Sequence, residues 1–378
     1  MWPRAPLIFF SLLGFCCGGE LVHVQAVWRH GDRTPARTYR NDPNQEDKWP
    51  LPWGELTTRG MTEQYQQGLR LKERYIDNLK LISKDYKSNE IYVRSTDKDR
   101  TLMSAYANLA GFYSDSIGTH PNSSDWPVRW SPIPVHSVEN HRYDYLLNPF
   151  RKCPRKEQLE KEREKNLVYQ KYWSKQKEFL DNVSHLAGKN ISARRDLHDF
   201  LDTTYIEKLY NLTLPAWLTD ELYNRGWAIK RDIEDYLLGS AGFGLKEDVE
   251  LVRLQGGPLL TKIIENMKNL KHGKKYHAYS AHDITVFSLI RTLGANDAIL
   301  NHKEVDYAAV LVMELWTFSE KYYVRLLYSA SANHALKTYT RAIKGCPNRT
   351  YCPLDTFIKR SKDYMVENPA EACNKVDK

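Results

Sequence analysis

Nine consecutive residues, Val27-Trp28-Arg29-His30-Gly31-Asp32-Arg33-Thr34-Pro35, set one histidine between two arginines. A guanidinium is a planar fork of N–H donors that meets the oxygens of a phosphate two at a time. Cations on both sides of an imidazole favour its neutral form, which leaves a ring nitrogen free to attack. Gly31 lets the backbone turn sharply. The chemistry that suits this stretch is attack on phosphorus by His30, with Arg29 and Arg33 holding the oxygens. A second group lies far along the chain at His282-Asp283. It sits between a strand-like run, Tyr276 to Ser280, and a helix carrying Ile284, Phe287, Ile290 and Leu293 on one face. Free backbone N–H groups at such a boundary favour anions. Asp283 would at the least cap its helix; burial or a bound anion would also let it give up a proton.

Both groups need elements to place them. The apolar run Leu21 to Val27 reads as a buried strand, so His30 falls just past a strand's C-terminal end, where open α/β sheets hold ligands. Ile91-Tyr92-Val93 is a second β-rich run ending in Arg94. It is followed by capping residues Ser95, Thr96 and Asp97 and by a helix face of Leu102, Tyr106 and Leu109. The plan of strand, turn and helix repeats, and Arg94 lands at a strand edge like Arg29. A helix opens near Thr57 or Thr58, and Pro134-Val135-His136 is a short strand. Gln255-Gly256-Gly257-Pro258 reads as a turn, with Pro258 starting a helix and the glycines serving tight packing. Tyr307 to Trp316 and Lys321 to Tyr328 form a hairpin around Thr317 to Glu320.

Arg-His-Gly-Asp-Arg-Thr-Pro after an apolar strand, with His-Asp at a later strand end, resembles the histidine acid phosphatases, a branch of the phosphoglycerate-mutase-like superfamily. The resemblance runs from about Leu21 to Cys373. It implies an α/β fold with a mixed, mainly parallel sheet flanked by helices and an inserted all-helical subdomain. It also implies a secreted phosphomonoesterase working through a covalent phosphohistidine. His30 is then the nucleophile, Asp283 the proton donor, and Arg29, Arg33, Arg94 and His282 the phosphate ligands. No metal or other cofactor is required, since arginines supply the electrostatics. In animal relatives the proline- and tryptophan-rich segment 122–148 lies near a dimer interface, which carries over as a homodimer. Relatives with His-Ala-Glu at the second site include inositol-polyphosphate phosphatases; this chain has His-Asp. A mutase, phytase or inositol-phosphate phosphatase on the same scaffold, a metal phosphatase and an exported binding, antigen or storage protein that lost catalysis are the competing readings.

The remaining features fit an exported molecule. Met1 to Arg4 carries one positive charge, Leu7 to Cys17 is apolar, and Gly18 and Gly19 follow, the pattern of a signal peptide spanning 1–19. Its core is too short to span a bilayer, and no later stretch is long and apolar enough. The mature protein is expected to be soluble, in a secretion or a lysosomal lumen. Net charge is +8, but acidic and basic residues interleave, as in Lys161-Glu162-Arg163-Glu164-Lys165. That pattern makes a solvated surface rather than a nucleic-acid site. Of six cysteines, Cys16 and Cys17 fall in the leader. Cys153, Cys346, Cys352 and Cys373 remain, with three pairings open and spacing unlike that of zinc ligands. The resemblance implies Cys346–Cys352 and Cys153–Cys373. Sequons at Asn122, Asn182, Asn190, Asn211 and Asn348 offer glycosylation sites. Residues 20–151 and 240–345 read as the catalytic α/β body and 346–378 as a stapled tail. Between them, 152–239 loses all strand signals and reads as a helical cap, in runs over 158–181, 192–210 and 220–238.

Overall fold

Two long runs of apolar residues build the centre of the molecule. In a computed structural model that describes residues 18–127, 130–148 and 150–376, β1 (Glu20–Arg29) lies inside the sheet and is buried along nearly its whole length. The other strands are β2 (Ile91–Ser95), β3 (Val135–His136), β4 (Tyr276–Ala281), β5 (Val310–Phe318), β6 (Lys321–Ser329), β7 (Lys337–Thr338) and β8 (Cys352–Pro353). Their order is β3-β2-β4-β1-β5-β6-β7, with β8 also paired to β6. The half from β3 to β1 is parallel and the half from β5 onward antiparallel, so the sheet is mixed. β5 and β6 are joined through Ser319 and Glu320, both at positive φ (46° and 62°). That is the two-residue turn whose twist matches a hairpin.

Helices cover both faces. On one side α1 (Thr58–Lys72) and α2 (Asp99–Phe112) bury Leu71, Leu109 and Phe112 against Val24, Ala26 and Trp28 of β1. Thr57 caps α1 by accepting from the Gly60 N–H. Next in the chain come α3 (Pro154–Glu164), α4 (Leu167–Lys175), α5 (Lys177–Ala187), α6 (Arg194–Leu209) and α7 (Asp220–Leu237). The run expected over 158–181 is broken where Asn166 accepts from the N–H groups of Val168 and Tyr169 and starts α4. Helices α5, α6 and α7 share a core of their own that includes Phe179, Leu201, Ile229 and Ile233. By contrast α3 packs through Leu159 on the body, beside Leu251, Leu254 and the Cys153–Cys373 pair.

The opposite face of the sheet carries α8 (Val249–Lys268) and α9 (Asp283–Thr292), followed by α10 (Asn296–Leu300), α11 (Leu354–Ser361) and α12 (Pro369–Asn374). The turn expected at Gln255 to Pro258 is instead the middle of α8. A Cβ at Gly256 would fall 2.3 Å from the Ser288 carbonyl oxygen of α9, so the glycine permits two helices to touch. Pro258 has no N–H for the carbonyl four residues back. That carbonyl, of Leu254, accepts from the Arg151 guanidinium instead, which lets the helix run through. Disulfides join Cys153 to Cys373, 220 positions apart, and Cys346 to Cys352. Among the described residues no helix is long and apolar enough to cross a membrane. The leader, residues 1–17, lies outside them.

Candidate active site

The strand β1 ends at Arg29, and the turn after it is tied down on both sides. The His30 N–H donates to Ala281 O at the end of β4 (3.0 Å), and the Ala308 N–H donates to His30 O (3.1 Å). Gly31 is needed for a close approach: a Cβ there would meet the Gly60 carbonyl oxygen at 2.2 Å. His30 is almost fully buried, and its Nδ1 lies 2.8 Å from Gly31 O. A carbonyl oxygen can only accept, so Nδ1 carries the proton and Nε2 keeps its lone pair. Burial, then the charges of Arg100 and Arg29, hold the imidazole well below its usual pKa. Both effects favour the neutral, nucleophilic form of the ring.

Three guanidinium groups lie around it. Arg29 Nη2 pairs with Asp283 Oδ2 at 3.0 Å. Its Nη1 donates to Val305 O (2.8 Å), and its plane stacks 4.1 Å from the centre of the Tyr307 ring. Arg33 Nη2 reaches both oxygens of Asp202, at 3.1 and 3.0 Å. Arg100, in the first turn of α2, is pulled down to about 10 by burial and by the neighbouring Arg33. The Nε groups of Arg29, Arg33 and Arg100 are buried and meet no acceptor among the described residues. A set of buried cationic donors without acceptors is a receptor for an oxyanion.

Arg94, expected from the sequence to join this cluster, does not. It pairs in register with Tyr279, whose side chain packs into the core beneath α8 and α9. Paired residues share a face of the sheet, so Arg94 turns to that side, lines a hollow with Pro258, Thr261 and Lys262, and bonds Asp144 at 2.5 Å. The arginine that does reach the site is six positions later, where α2 begins beside the end of β4.

His282 and Asp283 come together with His30 as expected. The rings of His30 and His282 are 5.6 Å apart, edge to face. His282 Nε2 lies 3.0 Å from Thr96 Oγ1, which is 2.8 Å from Thr101 Oγ1. Burial and Arg100 bring His282 down to about 3, so it too is neutral. Asp283 opens α9 and accepts from the Ile284 N–H (2.7 Å). Burial would raise its carboxyl, but Arg29, then His198 and His282, outweigh burial and hold it well below the usual carboxylate range. The carboxyl is therefore ionised while it pairs with Arg29.

The helical segment contributes residues that motif reading did not single out. Asp202 on α6 grips Arg33, and Asp199 pairs with Arg37 at 3.0 Å. His198 and Asp202 face a cavity of about 630 Å³ that opens beside Arg29 and Asp283 and has Tyr205, Tyr223 and Trp227 in its wall. His198, Asp202 and Tyr205 recur at helical spacing among the buried Leu197 and Leu201, a polar stripe that could have marked them. Asp32 is fully buried. It accepts from Thr57 Oγ1 (2.6 Å) and from the Tyr210 hydroxyl, tying the nucleophile turn to α1 and to the end of α6. All five sequon asparagines are exposed.

A pocket of this make-up, at the C-terminal ends of parallel strands, puts the molecule among the phosphoryl-transfer enzymes. The model of the histidine phosphatase superfamily (branch 2) matches residues 20–329. Prostatic acid phosphatase of Homo sapiens is 35% identical over 376 residues, covering 97% of this chain and 91% of the relative. Lysosomal acid phosphatase of Rattus norvegicus is 34% identical over 388 residues, covering 98% and 86%. Among solved structures, the phytase of Citrobacter braakii superposes with a TM-score of 0.65 at 17% identity, covering 94% of this chain and 100% of its own. A multiple inositol polyphosphate phosphatase of Bifidobacterium longum gives 0.58 at 14%, covering 98% and 96%. At such identities the likeness is one of fold. The chain belongs to branch 2 of the histidine phosphatase superfamily. It is a hydrolase of phosphate monoesters with a histidine nucleophile.

Proposed function

We propose that the protein is an exported acid phosphatase that splits simple phosphate monoesters in two displacements at His30. The observation that carries this reading is the buried His30, its Nδ1 held by Gly31 O, beside three buried arginine Nε donors that lack acceptors among the described residues. In the first step Nε2 attacks phosphorus, the P–N bond forms and the P–O ester bond breaks. Arg29, Arg33 and Arg100 hold the non-bridging oxygens, where transition-state charge is spread. His282 Nε2 meets the Thr96 hydroxyl, and the tautomer with its proton on Nδ1 offers an N–H to the phosphoryl group. Asp283 protonates the departing alkoxide, then takes the proton of the water that breaks the P–N bond.

The Arg29–Asp283 pair makes the proton donor depend on substrate. An incoming phosphate competes with Asp283 for Arg29 and adds negative charge beside the carboxyl. Both effects raise its pKa. A monoanionic ester, prevalent below the second phosphate pKa of about 6, brings the proton that Asp283 needs. Activity is therefore expected to be greatest in acid and to fall above that value.

Phytate and other polyphosphates would ask for a uniformly basic cavity. Here Asp202, Glu304 and Asp306 share the walls with His198, Arg231 and Lys303, which favours esters with a single phosphate. Acid phosphatases named as prostatic and lysosomal among the relatives, the apolar leader and five exposed sequons support export to a secreted or lysosomal lumen, with glycosylation at Asn122, Asn182, Asn190, Asn211 and Asn348. We place a homodimer contact near Trp126 and Trp130, whose rings pack 5.6 Å apart with Trp130 exposed. Replacing His30 by alanine is expected to abolish turnover while leaving phosphate binding measurable. Turnover at the wild-type rate in that variant would overturn the assignment.

A further inference from the structure

One buried polar atom beside the nucleophile is left without a role by the scheme above. Tyr307 is 3% exposed; its ring centre lies 5.9 Å from that of His30, and the Arg29 guanidinium stacks over it at 4.1 Å. Its hydroxyl is buried and has no hydrogen-bond partner among the described residues. Stacking on Arg29 needs only the ring, which a phenylalanine would supply equally well. A buried hydroxyl with no partner lowers stability and asks for an explanation.

The backbone around it is held in an unusual state. Ala308 has a φ of 51°, a conformation that non-glycine residues rarely adopt and that marks functional sites when the surroundings enforce it. Those surroundings are specific: the Ala308 N–H donates to His30 O, and Ala308 O accepts from Gln67 Nε2 at 2.6 Å. Tyr307 is thereby fixed relative to the nucleophile turn itself. The ionisable groups that act on the hydroxyl are Arg33, Arg29, Asp202 and Asp32, and burial raises its pKa, so it stays a donor at every working pH. Asp202 is taken by Arg33 and Asp32 Oδ2 by Thr57 and Tyr210; Asp32 Oδ1 and the Tyr307 hydroxyl each stay unbonded among the described residues, as do the Nε donors of Arg29 and Arg33.

We propose that the Tyr307 hydroxyl is a further hydrogen-bond donor to the phosphoryl group, acting beside Arg29 and Arg33. This rests on the phosphatase reading above. The donor serves bound substrate, phosphoenzyme and released phosphate alike. It therefore governs affinity for the phosphate more than the chemical step.

Tyr307→Phe keeps the ring and removes only the oxygen. The test compares wild type and Y307F on the full folded chain by thermal melting with and without inorganic phosphate, and by phosphate inhibition of turnover. The variant is expected to melt at or above the wild-type temperature without phosphate. Its phosphate-induced shift should shrink, and the inhibition constant for phosphate should rise about tenfold or more, as for loss of a bond to a charged acceptor. KM should rise in step and kcat change far less. If phosphate stabilises both proteins equally and inhibits them equally, the role of Tyr307 is overturned while the phosphatase reading stands. A Y307F protein that melts far below wild type without phosphate would make the hydroxyl structural and also overturn it. If wild type itself does not respond to phosphate, the phosphatase reading fails and this inference with it.

Discussion

Asp283→Asn separates two things that one carboxyl does. In the free protein Asp283 Oδ2 sits 3.0 Å from Arg29, and the side chain is about a quarter exposed. Unit charges about 4 Å apart interact by about 4 kcal/mol at an effective dielectric of about 20. Solvent contact and the paired Arg29 offset much of the repulsion that a phosphate dianion would meet there. A net penalty of roughly 1–2 kcal/mol, a factor of about 5–30, is left for binding phosphate to the ionised form. The amide carries no charge and frees Arg29. Phosphate should therefore inhibit D283N about 5–30 times more strongly than wild type near neutrality. The gap should close in acid, where wild type takes up a proton with the ligand. Turnover behaves oppositely. Loss of a positioned acid costs about 10²–10⁴-fold on alkyl esters and far less on aryl esters, whose leaving groups need no proton. The assay is turnover of one alkyl and one aryl phosphate from pH 4.5 to 8, with phosphate inhibition at each value. Equal losses on both esters, together with equal inhibition near neutrality, would refute the reasoning.

Arg100→Ala is expected to lower kcat/KM by at least about a hundredfold, as for loss of a transition-state donor. Arg94→Ala should leave kcat/KM within a few-fold and act on stability through the buried Asp144; the reverse ranking in a kinetic comparison would restore Arg94 to the site. Glu207 on α6 is fully buried near the buried Asp42, and its Oε1 accepts from Asn44 Nδ2 at 3.0 Å. Burial, then Asp42, raises its carboxyl well above the usual range. The folded state keeps a proton that the unfolded chain releases above its ordinary pKa of 4.5. That contribution to stability is thus complete in acid and drains away as pH rises toward the alkaline range. Glu207→Gln should melt within about 2 °C of wild type at pH 5 and hold its melting temperature better than wild type toward pH 9. Parallel melting curves across that interval would dismiss the retained proton.

His30, Arg29 and Arg33 were legible because they are consecutive and follow an apolar strand. His282 and Asp283 were legible because a strand-to-helix boundary places its junction residues at a sheet's edge whatever surrounds it. The same rule misled at Arg94. A strand's last arginine can point to either face, and only the register with Tyr279 decides which. Arg100 lay six positions beyond, in a helix turn whose direction depends on how α2 packs against β4. Asp202, His198 and Tyr307 come to the site across long stretches of chain, and their types are common enough to pass for surface or core. The Gly-Gly-Pro stretch looked like a turn because both residue types break isolated helices. In α8 the glycines are contacts with neighbouring backbone, and Arg151 serves the carbonyl that the proline leaves unbonded. The even number of exported cysteines was readable, whereas their pairing depends on where the tail docks.

The central claim is that phosphorus becomes bonded to Nε2 of His30. Mixing enzyme with a phosphate ester labelled in phosphorus, stopping the reaction within its first turnover in alkaline denaturant, and mapping the label tests it directly. The account predicts label on His30 that survives base, is lost in acid, and is absent from His30→Ala. Label on another residue, or none while alcohol is released in a burst, would contradict it.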